Sequence, residues 1–326
     1  MKQRPERSQI LGYGMAVPQK VVTNFDLEKT VETTNEWIRS RTGIERRHIA
    51  EEGETTLTLA SDAARAAIAD AGLTPTDIGL ILLGTLTPEI GFPATACLVQ
   101  EEIGAVNAAA FDFNAACSGF LYGLQIADSL VRGGAHQYVL VIGAETLSKI
   151  TNWEDRNTCV LFGDAAGAAV IGPSDDPDRG ILSTMIHSDG SQANLLRRIG
   201  GGTRPISNPG EAFIEMQGRD VFKRAVTAMG DAAEAILAEA GYTGADVDIL
   251  VPHQANTRII EATAKRINLS MDRVFVNIQE YGNTSAATIP VCLAEMRKSG
   301  MLDPGKLIVM VAFGAGFTWG AALMRS

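Results

Sequence analysis

The chain has 326 residues, of which 46% are hydrophobic, 20% charged and 6% aromatic, a composition that excludes a disordered or collagen-like polymer. Its formal net charge is −10, so the positive footprint that non-specific nucleic-acid binding needs is missing. Cys97, Cys117, Cys159 and Cys292 form neither a CxxC pair nor Cys/His zinc spacing, which predicts free thiols in a reducing compartment and no metal site.

In chain order, residues 10–18 are apolar but too short and too broken by Gly and Pro for a signal-peptide core, so the chain reads as cytoplasmic. Residues 57–71 are Ala-rich and amphipathic and are followed by Gly72, which predicts a helix with a glycine stop. Residues 74–77 (TPTD) are turn chemistry, and the apolar run 78–83 predicts a buried strand, as do 139–142 and 307–311. Such alternation argues for a mostly parallel α/β sheet. The apolar stretch 307–324 contains Gly314, Gly316 and Gly320 and reads as two strands joined by a glycine turn, not as a membrane span.

Residues 67–82 align without gaps on 236–251, with Ala69, Ala71, Gly72, Thr74 and Asp77 recurring as Ala238, Ala240, Gly241, Thr243 and Asp246. Segments 138–145 and 307–316 sit in comparable places, so two similar α/β halves are expected. A break near 172–177 divides them into 1–174, carrying Cys117, and 175–326, carrying His253 and Asn283. The Gly- and Pro-rich stretch 188–211 is expected to be a surface excursion.

Chemistry concentrates in three places. Cys117 follows an extended FDF and small residues and opens a helical pattern, where the positive end of a helix dipole favours a thiolate. The plain alternative is a buried structural cysteine, which is the expectation for Cys97, Cys159 and Cys292. His253 follows the strand-like 248–251, at a strand end of the kind where open α/β sheets place their sites, although a satisfied surface histidine fits the same pattern. Asn283 opens a second helix, as an N-cap or as an amide donor to a site. His48 is expected to be solvated and His136 and His187 structural. Gly314 and Gly316 superficially match a dinucleotide fingerprint, but no helix or downstream acid follows, which argues against nicotinamide chemistry, and no Walker A pattern occurs.

Together the motifs NAACSGF at Cys117, FGDAAGAAV at 162–170, HQAN at 253–256, YGNTSAA at Asn283 and FGAGFTWG at 313–320 resemble the 3-oxoacyl-[acyl-carrier-protein] synthase III family of thiolase-superfamily condensing enzymes. The resemblance covers residues 8–326 and implies a thiolase-like duplicated five-layer α/β/α/β/α fold. It implies that Cys117 takes the acyl group from an acyl-CoA (acetyl-CoA foremost), and that malonyl-acyl carrier protein then condenses on it with loss of CO₂. His253 and Asn283 would hold the developing enolate, and the backbone N–H groups of Cys117 and Ala315 a second oxyanion, with alanine at 315 where the family often has glycine. By the same resemblance Thr33, Trp37, Arg41 and Arg156 would meet the CoA adenine, and Gly218, Phe222 and Asn256 its pantetheine arm. Phe92 would close the acyl pocket of a partner subunit in a homodimer. Lys223, Arg224, Arg258, Lys265 and Arg266 would receive the acidic carrier protein. No metal or separate cofactor is implied. The alternatives are a sister condensing enzyme with another primer or acceptor, and a non-catalytic acyl-CoA-binding scaffold. Thiolase proper is disfavoured because no cysteine follows Cys292, and a chalcone-synthase type because its chain is usually longer.

Overall fold

Strands that are apolar on both faces must be covered on both sides. The structure, a computed structural model describing residues 5–174 and 176–326, achieves this twice. The first half runs β1 (Arg7–Ala16), β2 (Val21–Thr23), α1 (Asn24–Leu27), α2 (Asn35–Thr42), β3 (Arg46–His48), α3 (Thr56–Asp70), β4 (Leu80–Gly84), α4 (Thr95–Ile103), β5 (Ala109–Phe113), α5 (Gly119–Arg132), β6 (Val139–Thr146) and β7 (Asp164–Ser174). The second runs β8 (Gly180–Ser188), β9 (Leu196–Arg197), β10 (Glu215–Met216), α6 (Gly218–Glu239), β11 (Ile249–Pro252), α7 (Thr257–Arg266), α8 (Ile278–Tyr281), α9 (Thr288–Lys298), β12 (Leu307–Gly314) and β13 (Thr318–Arg325).

The first sheet has the order β1-β7-β6-β4-β5, with β4, β5 and β6 parallel and β7 and β1 successively antiparallel. The second, β8-β13-β12-β11, repeats its first four strands in order and direction. A lone parallel bridge between Leu250 and Val274 stands where a fifth strand would lie. The residues shared by the two halves have physical work to do. Gly72 and Gly241 adopt φ of 67° and 77° just past α3 and α6, a conformation that costs other residues energy. Thr74 with Asp77, and Thr243 with Asp246, make the same turn, each Asp accepting the Thr N–H at 2.8 Å.

Side-chain alternation builds five layers. Leu80, Leu82, Val139 and Val141 of the first sheet and Val251, Ile308, Met310 and Ala322 of the second face a central layer of α5 and α9. Ile81, Leu83, Leu140 and Ile142 turn outward under α3 and α4, while Leu250, Val309, Val311 and Leu323 turn outward under α6 and α7. The expected helix at 57–71 is α3, whose start is set by a capping box between Thr55 and Thr58. The stretch 307–324 is the antiparallel pair β12 and β13. No helix among the described residues is long and apolar enough to cross a membrane.

Two expectations are corrected. His48 is not solvated: its Nδ1 lies 2.7 Å from the Pro18 carbonyl oxygen and its ring stacks on Tyr281 at 5.5 Å. The stretch 188–211 is more than a surface excursion. After β8 it forms β9, which pairs with β10, and Leu196, Arg197, Arg198 and Gly200–Gly202 become part of a cavity wall. The expected boundary between the halves abuts residue 175, which lies outside the described residues, as do residues 1–4.

Candidate active site

The segments that leave the C-terminal ends of the parallel strands in both sheets converge on one cavity of about 1070 Å³, the arrangement expected of open α/β sheets. Cys117, His253, Asn283 and Ala315, far apart in sequence, all line it. Cys117 sits in the 3₁₀ turn Ala116–Ser118 between β5 and α5. Asn283 precedes the matching turn Ser285–Ala287, which leads into α9. Both turns pivot on a non-glycine residue with positive φ, Ala116 at 47° and Ser285 at 49°. Each is braced in the same way: Asn114 Oδ1 accepts the Ala116 N–H at 3.2 Å, and Asn283 Oδ1 accepts the Ser285 N–H at 2.9 Å. Asn283 therefore caps its turn through oxygen, which leaves its Nδ2 donors for the cavity. Close packing holds the turns in place. A Cβ on Gly314 would lie 2.6 Å from the Cys117 backbone N, and one on Gly143 would lie 2.2 Å from the Ala286 carbonyl oxygen. Ala315, next to Gly314, is not among the positive-φ residues, so alanine is unstrained there.

The electrostatics differ from the simple expectation for a cysteine at a helix start. Burial pushes the Cys117 thiol up to about 12; contact with the Ser285 hydroxyl pulls it down, and the Glu145 carboxylate pushes it further up. Burial therefore works against the helix dipole at Cys117. His253, held by its N–H to Val311 O at 2.8 Å, is pushed down to about 3 by burial, so its imidazole is neutral at neutral pH. Its Nδ1 lies 2.7 Å from Thr288 Oγ1, whose hydroxyl also reaches the Ser285 carbonyl oxygen at 3.1 Å.

The residues expected to meet CoA divide into two groups. Gly218, Phe222 and Asn256 line the cavity. Thr33, Trp37, Arg41 and Arg156 lie outside it. The Arg156 and Arg41 guanidiniums are 5.1 Å and 5.9 Å from the centre of the Trp37 ring, within cation–π range. Asn256 joins the groups by donating from Nδ2 to the Arg41 carbonyl oxygen at 2.9 Å.

The family described as 3-oxoacyl-[acyl-carrier-protein (ACP)] synthase III matches residues 111–190, and its C-terminal counterpart matches 237–326. A beta-ketoacyl-[acyl-carrier-protein] synthase III of Caldanaerobacter subterraneus subsp. tengcongensis is 50% identical over 321 residues, covering 97% of each chain. Another, from Xanthomonas campestris pv. campestris, is 51% identical over 321 residues and covers 98% of each. The crystal structure of 3-oxoacyl-[acyl-carrier-protein] synthase III from Aquifex aeolicus superposes with a TM-score of 0.92 at 49% identity, covering 98% of this chain and 100% of that one. The chain belongs to the beta-ketoacyl-[acyl-carrier-protein] synthase III family. It is an acyltransferase with the thiolase-like fold, and it performs the initiating condensation of fatty-acid synthesis.

On this synthase III the basic residues lie where α6 and α7 pack, with Lys223, Arg224, Arg258 and Lys265 exposed. Lys223 Nζ lies 3.9 Å from Asp220, and Arg266 is held more closely, by Asp231 and Glu234 at 2.8 Å each, so its charge is locally matched. Phe92 is 88% exposed, beside Ile90 and Gly91 of the cavity wall. Sequence reasoning missed three polar groups: Ser285, which lines the cavity, Thr288, which meets His253 Nδ1, and Glu145, buried in β6. Glu145 had a legible signal, because it is the one charged residue in the fully buried strand β6.

Proposed function

We propose that the synthase is primed by acetyl-CoA, with Cys117 as nucleophile and His253 and Asn283 as the decarboxylation pair. The convergence of these three side chains on one cavity carries the reading. Cys117 Sγ attacks the thioester carbonyl, the bond to the CoA sulfur breaks, and the acyl group stays on the enzyme, so that one hard step becomes two easier ones. Malonyl-acyl carrier protein then loses CO₂. The electrons of the broken C–C bond pass to the thioester oxygen, which accepts hydrogen bonds from His253 Nε2 and Asn283 Nδ2. The resulting carbanion attacks the acyl carbon, the Sγ–C bond breaks, and 3-oxoacyl-carrier protein leaves. The N–H groups of Cys117 and Ala315 serve the oxyanion at the acyl carbon, a role supported by the tight approach of Gly314 to the Cys117 backbone.

Gly218, Phe222 and Asn256 accommodate the pantetheine arm, and Trp37 with Thr33, Arg41 and Arg156 the adenine, consistent with the cavity lining and the cationic aromatic cluster outside it. Lys223, Arg224, Arg258 and Lys265 steer the acidic carrier protein, with Arg266 contributing least. The halves 1–174 and 175–326 are the two units of a duplicated fold, supported by the repeated strand order. The protein works in the cytoplasm as a homodimer, a state that would cover the exposed Phe92 and Ile90. A sedimentation mass of one chain at micromolar concentration would overturn the dimer.

Intact mass after mixing with straight and branched acyl-CoAs tests the central claim. An acyl-sized gain that disappears in Cys117→Ala is expected, largest for acetyl-CoA. CoA binding without any adduct would identify a scaffold instead.

A further inference from the structure

Glu145 lies near the end of β6, a strand whose eight residues are all buried. A carboxyl group in such a place is costly unless donors surround it. Its donors come from one short stretch. Oε2 accepts from Leu86 N at 3.0 Å, Thr87 Oγ1 at 2.9 Å and Thr85 Oγ1 at 3.3 Å, the first residues after β4. Oε1 is buried and meets no donor among the described residues, so the carboxyl serves this stretch through one oxygen.

The web continues from Thr87. Its Oγ1 also accepts the Thr146 N–H at 2.9 Å, and Thr146 Oγ1 lies 2.9 Å from Thr56 Oγ1 at the start of α3. Thr56, Thr85, Thr87 and Thr146 are all buried. Buried polar groups bonded to one another in this way fix a single arrangement of the chain. Beyond Thr87 the segment is pinned a second time. Thr95 Oγ1 accepts the Glu89 N–H at 2.9 Å, and Glu89 Oε2 accepts the Leu57 N–H at 3.0 Å. Asp112 of β5 accepts from Thr95 N at 2.6 Å and Ala96 N at 2.7 Å, which fixes the start of α4 where Ala94 supplies no side-chain cap.

Between the two anchors, residues 86–91 wall the cavity that Cys117 also lines, whereas Glu145 stands behind them. The wall begins beside the turn that carries Cys117. Thr85 N donates to Phe113 O at 3.2 Å just before that turn, and a Cβ on Gly84 would lie 3.4 Å from Gly119 just after it. Residues 86–91 belong to no strand or helix, so their distance from Cys117 is set by the anchors at either end.

We infer that Glu145 is a positioning residue for primer choice: by holding Leu86 and Thr87 it fixes the depth of the space beside Cys117, and with it the length of acyl chain accepted. The inference rests on Cys117 as the acylated nucleophile. A pocket wall distinguishes acyl chains at about 10–200-fold per methylene, so a small displacement of residues 86–91 is enough to change the ranking of primers. Without an acceptor at Oε2 the Leu86 N–H is left unbonded and the two threonine hydroxyls must turn elsewhere, so the wall yields and longer chains enter. A glutamine keeps an acceptor oxygen in the same place and puts its amide nitrogen where Oε1 has no donor to lose.

The test is the rate at which the full chain is acylated by acetyl-CoA, butyryl-CoA and hexanoyl-CoA, read by intact mass. Glu145→Met, of similar length but with no acceptor, should lower the acetyl-to-hexanoyl rate ratio about tenfold. Glu145→Gln should hold the ratio within about twofold of the unaltered protein. Thr95→Val, which removes the acceptor for the Glu89 N–H, should move the ratio the same way by about threefold, and it decides the matter if Glu145→Met does not fold. A role in stability alone would lower the melting temperature and slow all primers equally. An unchanged or raised ratio in the Met and Val variants therefore overturns the anchoring, as does a Glu145→Gln shift as large as that of Glu145→Met. An unaltered chain that takes no acyl group from any of the three overturns the nucleophile reading, and this inference with it.

Discussion

Thr288 has one hydroxyl proton and two acceptors in reach, His253 Nδ1 and the Ser285 carbonyl oxygen. With the proton on the carbonyl, Nδ1 must carry a hydrogen and Nε2 is a bare acceptor; with it on Nδ1, Nε2–H becomes a donor. The enolate-holding role uses the second arrangement. Asn283 has no such choice, because its oxygen is committed to Ser285 N. Replacing His253 or Asn283 by Ala should therefore lower malonyl decarboxylation by ~10²–10³ while acylation of Cys117 persists. Thr288→Val removes only an orienting bond of about 1 kcal/mol and should lower the same step about fivefold. Stopped-flow decarboxylation beside mass-detected acylation separates the steps, and loss of acylation alone in these variants would refute the division of roles. His253 and Asn283 were legible as candidates from a polar cluster after a strand and an Asn before a helix, and both line the cavity of Cys117. The direction of each donor was not, since Thr288 and Ser285 meet His253 only in the fold.

At the scale of elements, the turn after β5 and the turn before α9 are the same device used twice, one presenting the thiol and the other Ser285. The first lies so close to Gly314 of β12, and the second to Gly143 of β6, that glycine is required beneath each. Gly143→Ala would put a Cβ 2.2 Å from Ala286 O, so the turn carrying Ser285 must shift. A loss of about 1–3 kcal/mol in stability is expected, with a slower acylation step. A melting curve and acylation rate like those of the unaltered protein would show that the turn yields freely. The helix α3 and the strand β6 were readable because amphipathicity, caps and apolar runs are local signals. The stretch 188–211 was misread because Gly and Pro report only the absence of regular structure. That β9 pairs with β10 and walls a cavity depends on partners beyond its own sequence.

Across the whole molecule a net charge of −10 coexists with a cationic face on α6 and α7. On the proposal that this face receives the acidic carrier protein, opposite charge steers the encounter more than it tightens the complex. Lys223→Glu or Arg258→Glu should raise the KM for malonyl-carrier protein about fivefold, with the difference shrinking as salt rises. Arg266→Ala should change it far less, because Asp231 and Glu234 already match that charge. Equal effects at Arg258 and Arg266 would count against this ordering.

By itself the sequence determined the buried parallel strands and the repeat of one half in the other, and it marked Cys117, His253 and Asn283 as the candidates that line one cavity. These are carried by periodicity, by glycine and capping chemistry, and by short motifs, all of which act over a few residues. Only the tertiary structure decided that burial raises the Cys117 thiol, that His48 is packed against Tyr281, and that Arg266 is matched by two carboxylates. It alone brought Cys117, His253 and Asn283, from different halves, to one cavity. Desolvation and Coulomb interactions depend on what surrounds a group in space, and those surroundings come from other elements of the chain whatever their separation in sequence.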